Sequence, residues 1–83
     1  MSPILVFGKP GCPQCKITDK ILKESGVPYE YLDVTEDADA YARVEALGYQ
    51  SLPVTVDGEN HWTGLVPDLL KKAISARSEL GVS

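Results

Sequence analysis

Ile4 to Phe7 is an uninterrupted apolar run with no polar alternation. Four apolar side chains in succession, three of them β-branched or aromatic, suit a strand covered on both faces in the middle of a sheet. The run ends at Gly8, and Gly8-Lys9-Pro10-Gly11 is rich in turn formers. Pro13 fits the first position of a helix, where its missing N–H costs nothing, so a helix is expected from about Cys12. Ile17, Ile21 and Leu22 keep helical spacing with Thr18 beside them. Lys16, Lys20 and Lys23 take the wet side, and Gly26 followed by Pro28 supplies the stop.

Tyr29 to Val34 reads as a second strand of mixed polarity, joined to the first by a parallel crossover. Thr35 is expected to cap the next helix. Glu36, Asp37 and Asp39 then fall in its first turn, where the helix dipole favours negative charge, and Ala40, Val44 and Leu47 form a buried stripe ending at Gly48. Val54-Thr55-Val56, Asp57-Gly58 and Glu59 to Thr63 have the form of a β-hairpin closed by a type I′ turn at Asp-Gly. Pro67 starts a last helix with Leu69, Leu70, Ala73 and Ile74 on one side and Lys71, Lys72 and Arg77 towards its carbonyl end. The order β-α-β-α-β-β-α predicts an α/β fold with a four-stranded mixed sheet and helices on both faces. Function in such sheets gathers at the carboxyl ends of the parallel strands, where the Cys12 loop lies.

Length and charge narrow the possible functions. Eighty-three residues allow one core, so residues 1–83 are expected to form a single domain. Twelve acidic against eight basic residues give a formal charge of −4, the wrong sign for a hold on nucleic-acid phosphates. The longest apolar run is far short of the ~20 residues that span a bilayer, and no basic segment precedes it as in a signal peptide. A cytoplasmic protein with no membrane partner is expected. No large apolar patch is evident in the pattern, and a monomer is the simplest expectation.

The two cysteines carry the chemistry. Cys12 and Cys15 enclose only Pro13 and Gln14, so a bond between them closes a trivial loop and staples nothing distant. A thiol attacks a disulfide only as thiolate and needs access to solvent. At a helix start Cys12 has unpaired N–H groups and the dipole beside it, and Lys9 and Lys16 add positive potential. Such surroundings bring a thiol pKa to about 7 or below, against about 8.5 when free. Cys15 falls on the same side of the first turn, close to disulfide reach. The pair therefore predicts dithiol–disulfide exchange, with Cys12 as nucleophile and Cys15 resolving the mixed disulfide.

Other readings stand beside this one. A CxxC pair is also half of a zinc site, but His61 is the sole histidine and no second cysteine pair exists. His61 is most simply a solvated strand residue and Glu36 to Asp39 a solvated helix start. Trp62 is either ordinary sheet packing or part of a partner surface. Pro53 alone would be taken as a trans proline at a strand start.

Four segments together carry a resemblance: K-P-x-C-x-Q-C at Lys9 to Cys15, A-L-G-Y at Ala46 to Tyr49, S-L-P-V at Ser51 to Val54, and H-W-T-G-L-V-P-D at His61 to Asp68. Over nearly its whole length the chain resembles a glutaredoxin-type member of the thioredoxin fold, and specifically the NrdH-redoxin family. The resemblance implies that Pro53 is cis and faces the cysteines, with the Leu52 backbone offering strand-like hydrogen bonds to a substrate chain. It implies no bound cofactor. Electrons would come from NADPH through a flavin-containing thioredoxin reductase and go to a disulfide of class Ib ribonucleotide reductase or another protein. Trp62, Thr63, Gly64 and Leu65 would join Leu52 and Pro53 in binding partners. The chain departs from the family's W-S-G-F-R-P-D/E tail, with Thr63 for Ser, Leu65 for Phe and Val66 for Arg. Against ordinary glutaredoxins, Gln14 stands where Tyr is usual and Thr63-Gly64 replaces the Gly-Gly of the glutathione site, which disfavours tight glutathione binding. A glutathione-coupled glutaredoxin is the alternative, and a metal-binding module is third.

Overall fold

The computed structural model describes residues 3–81. Strand β1 (Ile4–Gly8) leads to helix α1 (Pro13–Ser25), strand β2 (Tyr29–Asp33) and helix α2 (Ala38–Ala46). The hairpin β3 (Val54–Asp57) and β4 (Asn60–Thr63) follows, then helix α3 (Pro67–Gly81). The strands form one sheet in the order β2-β1-β3-β4. β1 runs parallel to β2, with Val6 opposite Tyr31, and antiparallel to β3, with Val6 opposite Thr55. β3 and β4 are antiparallel, with Thr55 opposite Trp62.

The expected architecture is therefore observed, and its reason is visible in β1. Successive strand residues point to opposite faces. Ile4 and Val6 join Leu22, Val27, Trp62, Leu70 and Ala73 in a core under α1 and α3, while Phe7 packs with Val54, Ala40 and Val44 under α2. An interior strand covered on both sides has no wet face, hence the unbroken apolar run. The mixed polarity of Tyr29 to Asp33 belongs to an edge strand with only β1 beside it.

Four local expectations are corrected. Ile17 is 44% exposed, because the buried face of α1 is Cys15, Thr18 and Leu22. Ile17 lies two residues, roughly 200°, around the helix from Cys15. Leu69 is likewise 41% exposed, one position off the Leu70 and Ala73 stripe. Asp37, not Thr35, caps α2: its Oδ1 accepts from the Asp39 and Ala40 N–H groups at 3.0 and 3.1 Å. Thr35 instead donates its N–H and hydroxyl to Asp33 Oδ1, an Asx turn that spaces β2 from the helix. In the hairpin, Asp57 pairs with Asn60, so Gly58 and Glu59 form the loop. Gly58 has φ +61° and every non-glycine φ is negative among the described residues, the sign pattern of type II′ rather than I′.

α3 continues to Gly81, which takes Arg77 out of its last turn. Arg77 donates instead to Asp57 Oδ1 at 2.6 Å, tying α3 to the end of β3. Among the described residues, no helix is long and apolar enough to cross a membrane.

Candidate functional site

The site starts where β1 stops. Gly11, at φ +76°, supplies a left-handed step that turns the chain into α1, a conformation side chains with a Cβ rarely adopt. Cys12 then occupies the N-cap with φ −105° and ψ 106°, and Pro13 takes the first helical position. The Cys12 sulfur accepts the Cys15 N–H at 3.2 Å, doing with sulfur what a capping hydroxyl or carboxylate does with oxygen. Cys12 and Cys15 are joined as a disulfide with their Cα atoms 5.2 Å apart. The two are sealed unequally: Cys15 is fully buried, whereas Cys12 retains 8% of its surface.

The second component is the segment before β3. The Leu52–Pro53 peptide is cis, as the resemblance implies, and the Leu52 carbonyl oxygen lies 4.0 Å from the Cys12 sulfur. This segment is held by the end of β4. The Gly64 N–H donates to the Pro53 carbonyl at 2.8 Å, and the Thr63 hydroxyl donates to the Ser51 carbonyl at 2.8 Å. Thr63 Oγ1 also lies 3.0 Å from Ser51 Oγ. Gln14 closes the ring, its Oε1 lying 3.8 Å from where a Cβ on Gly64 would sit. Cys12, Gln14, Leu52, Pro53, Thr63 and Gly64 thus converge, with Leu65 half-buried next in sequence.

Other residues singled out in the sequence lie apart from this convergence or play a different part. Lys9, Pro13 and Lys16 are exposed around the motif. Trp62 is 8% exposed and belongs to the core beneath α1 and α3, so of its two readings the sheet-packing one describes its position. His61 is exposed, yet its Nδ1 is 2.7 Å from the Tyr49 hydroxyl, a contact that joins the A-L-G-Y segment to β4. Among the described residues, no three His, Cys, Asp or Glu side chains are grouped to hold a metal ion.

Two tyrosines on β2 point at α1. Tyr29 donates to Asp19 Oδ1 at 2.6 Å, and that bond, burial and the Asp19 charge push its pKa up to about 12. Tyr31 lies over Gly8, and an ideal Cβ built there would collide with its hydroxyl. Burial, then the charges of Asp19 and Asp33, raise its pKa above that of a free phenol. Nothing in the pattern around Tyr31 marks it. The local signal was Gly8, since a glycine ending an apolar strand signals close approach by another group.

A redox-bonded cysteine pair at a helix start, facing a cis-proline segment at the carboxyl end of a central strand, defines a thiol–disulfide oxidoreductase of the thioredoxin fold. The glutaredoxin family profile matches residues 4–62, and the chain belongs to the glutaredoxin family. The glutaredoxin-like protein NrdH of Escherichia coli K12 is 28% identical over 69 residues, covering 83% of this chain and 85% of that protein. The gene 56 protein of Mycobacterium phage L5 is 33% identical over 85 residues, covering 98% of this chain and 82% of the relative. Among solved structures, NrdH-redoxin from Escherichia coli superposes with a TM-score of 0.78 at 27% identity, over 86% of this chain and 93% of that one. The NrdH-redoxin resemblance and the glutaredoxin-type fold are both upheld.

Proposed function

We propose that this protein carries electrons from NADPH, through a flavin-containing thioredoxin reductase, to protein disulfides, with that of class Ib ribonucleotide reductase as its main target. Cys12 is the nucleophile and Cys15 the resolving thiol. The observation that carries the assignment is the unequal burial of the pair, 8% against 0%, which leaves Cys12 the sulfur an incoming disulfide can reach. In the first step the Cys12 thiolate forms a bond to one target sulfur. The target S–S bond breaks, and its other sulfur leaves as a thiolate that takes up a proton. Cys15, as thiolate, then attacks the Cys12 sulfur and displaces the remaining target thiolate, so two electrons pass to the target and Cys12–Cys15 is oxidised. The dithiol is itself the redox group, and the cycle uses no bound cofactor. The protein works as a cytoplasmic monomer.

Magnitudes favour a backbone origin for the reactivity of Cys12. Bringing a thiol from about 8.5 to about 7 corresponds to about 2 kcal/mol. One charge-assisted hydrogen bond supplies about 1.5–3 kcal/mol, so the Cys15 N–H at 3.2 Å nearly suffices. Lys9 and Lys16 are exposed, where solvent and salt screen their charge.

Leu52, Pro53, Thr63, Gly64 and Leu65 form the surface that meets partners, and the Leu52 backbone pairs with an extended substrate segment. The donor assignment is supported by the Escherichia coli relative, whose structure is described as explaining a thioredoxin-like activity profile. It is supported too by Thr63, which stands where the resemblance puts the first glycine of a glutathione site and whose hydroxyl is engaged with Ser51. Supplied with NADPH and either thioredoxin reductase or glutathione plus glutathione reductase, the protein is expected to reduce a protein disulfide efficiently only with the former. Turnover confined to the glutathione arm would replace this donor with glutathione.

A further inference from the structure

We propose that Tyr31 is a positioning residue for the resolving step, its hydroxyl donating a hydrogen bond to the Cys15 sulfur when that sulfur becomes a thiolate. The inference rests on the Cys12–Cys15 cycle above and adds a group from a different strand. An ideal Cβ on Gly8 would overlap the Tyr31 hydroxyl and lie 3.1 Å from the Cys15 sulfur. Phenol and sulfur therefore flank the same point, and the space between them exists because residue 8 has no side chain. β1 and β2 pair in parallel with Val6 opposite Tyr31, which directs the ring towards α1 and the carboxyl end of β1.

The resolving thiol has the harder ionisation of the two. Cys15 is fully buried, and burial disfavours its charged form. Cys12 accepts the Cys15 N–H, whereas among the described residues no N–H is directed at the Cys15 sulfur. Tyr31 is suited to donate to it. It is 37% exposed, so its ring can adjust, while its hydroxyl lies over buried Gly8. A phenol is protonated at neutral pH, and burial moves this one further from ionisation, so it is a donor rather than a base. Among the described residues, no protein group accepts a hydrogen bond from the Tyr31 hydroxyl. The groups around it are Asp19 from α1, whose carboxylate is held by Tyr29, and Asp33 from β2. β1 contributes only Gly8 there, and exposed Lys16 follows Cys15 on α1. During resolution Cys15 loses its proton to solvent and its sulfur bonds to the Cys12 sulfur. The target thiolate leaves and is protonated from water. Tyr31 keeps its proton throughout.

The decisive experiment measures the Cys15 pKa by thiolate absorbance in a Cys12→Ser background, where it is the only thiol. Tyr31→Phe, which removes the oxygen and keeps the ring, is expected to raise that pKa by about one unit, roughly tenfold less thiolate at neutral pH. Gly8→Ala, which retains the phenol but displaces it, is expected to shift it in the same direction. With both cysteines present, Tyr31→Phe slows release of the target from the mixed disulfide about tenfold at pH 7 and leaves formation of that complex unchanged. The slowing disappears as pH rises above the shifted pKa. A merely structural role would alter thermal stability without moving the Cys15 pKa or this pH profile. An unchanged Cys15 pKa in a folded Tyr31→Phe protein overturns the inference. Full turnover by Cys12→Ser alone would instead overturn the assignment of the nucleophile, a separate result.

Discussion

Cys12→Ser is expected to reduce disulfide turnover to the uncatalysed background, while Cys15→Ser completes one attack and stops with the target attached. The asymmetry follows from where the sulfurs sit. Cys12 caps α1 at the edge of the site, 4.0 Å from the Leu52 carbonyl, whereas Cys15 lies beneath it with no exposed surface. A hydroxyl at position 12 is not ionised near neutral pH and cannot attack a disulfide sulfur, so the Cys15 thiol is left with no mixed disulfide to resolve. A hydroxyl at position 15 leaves the first attack intact and removes the second. Mass spectrometry under non-reducing conditions should show one equivalent of target bound to Cys15→Ser and none to Cys12→Ser. Comparable multiple turnover by both variants would contradict the assignment.

Phe7→Ala is expected to cost about 3–5 kcal/mol, the range for a fully buried aromatic side chain. Phe7 is fully buried in the centre of the sheet, packed with Val54, Ala40 and Val44, and the Arg43 guanidinium lies 5.5 Å above its ring. A chain of this length has about 4–12 kcal/mol of total stability, so the loss is a large share of it. At about 4–8 °C per kcal/mol for a domain of this size, the melting temperature should fall by at least about 12 °C. Tyr41→Ala, at a residue 50% exposed, supplies the comparison, with an expected change within about 0.5 kcal/mol. Equal melting temperatures for the two variants would mean that the α2-side core does not hold the sheet as described.

What the amino-acid order revealed, and what it concealed, divides along a physical line. The strands, helices and their succession were legible because each leaves a local signature. These include the unbroken Ile4 to Phe7 run, Pro13 at a helix start, and the Gly26 stop, whose φ of +78° confirms it. The cysteine motif was legible for the same reason, since three residues and one helical turn suffice to specify it. Errors arose where neighbours compete for one role. Thr35 and Asp37 are both good caps, and only the Asx turn at Asp33 decides that the helix starts later. Ile17 and Thr18 differ by one helical step, and the tertiary position of Cys15 puts the threonine inside.

Contacts between distant segments were least legible. The meeting of Gln14 with Gly64, the Thr63 tether on Ser51 and the cis geometry at Pro53 are products of the fold, and only the family resemblance anticipated the last. Tyr31 had no signal of its own, because its position depends on a missing side chain twenty-three residues earlier on another strand.

The central claim is that Cys12 is ionised near neutral pH and reachable while Cys15 is neither. Its most direct test is the alkylation of the fully reduced protein by iodoacetamide across a pH series, with the modified cysteine located by peptide mapping. The account predicts that Cys12 is modified first, with a midpoint at about pH 7 or below. Cys15 should follow far more slowly. Modification of Cys15 first, or no reaction at either sulfur until pH exceeds about 8.5, would contradict it.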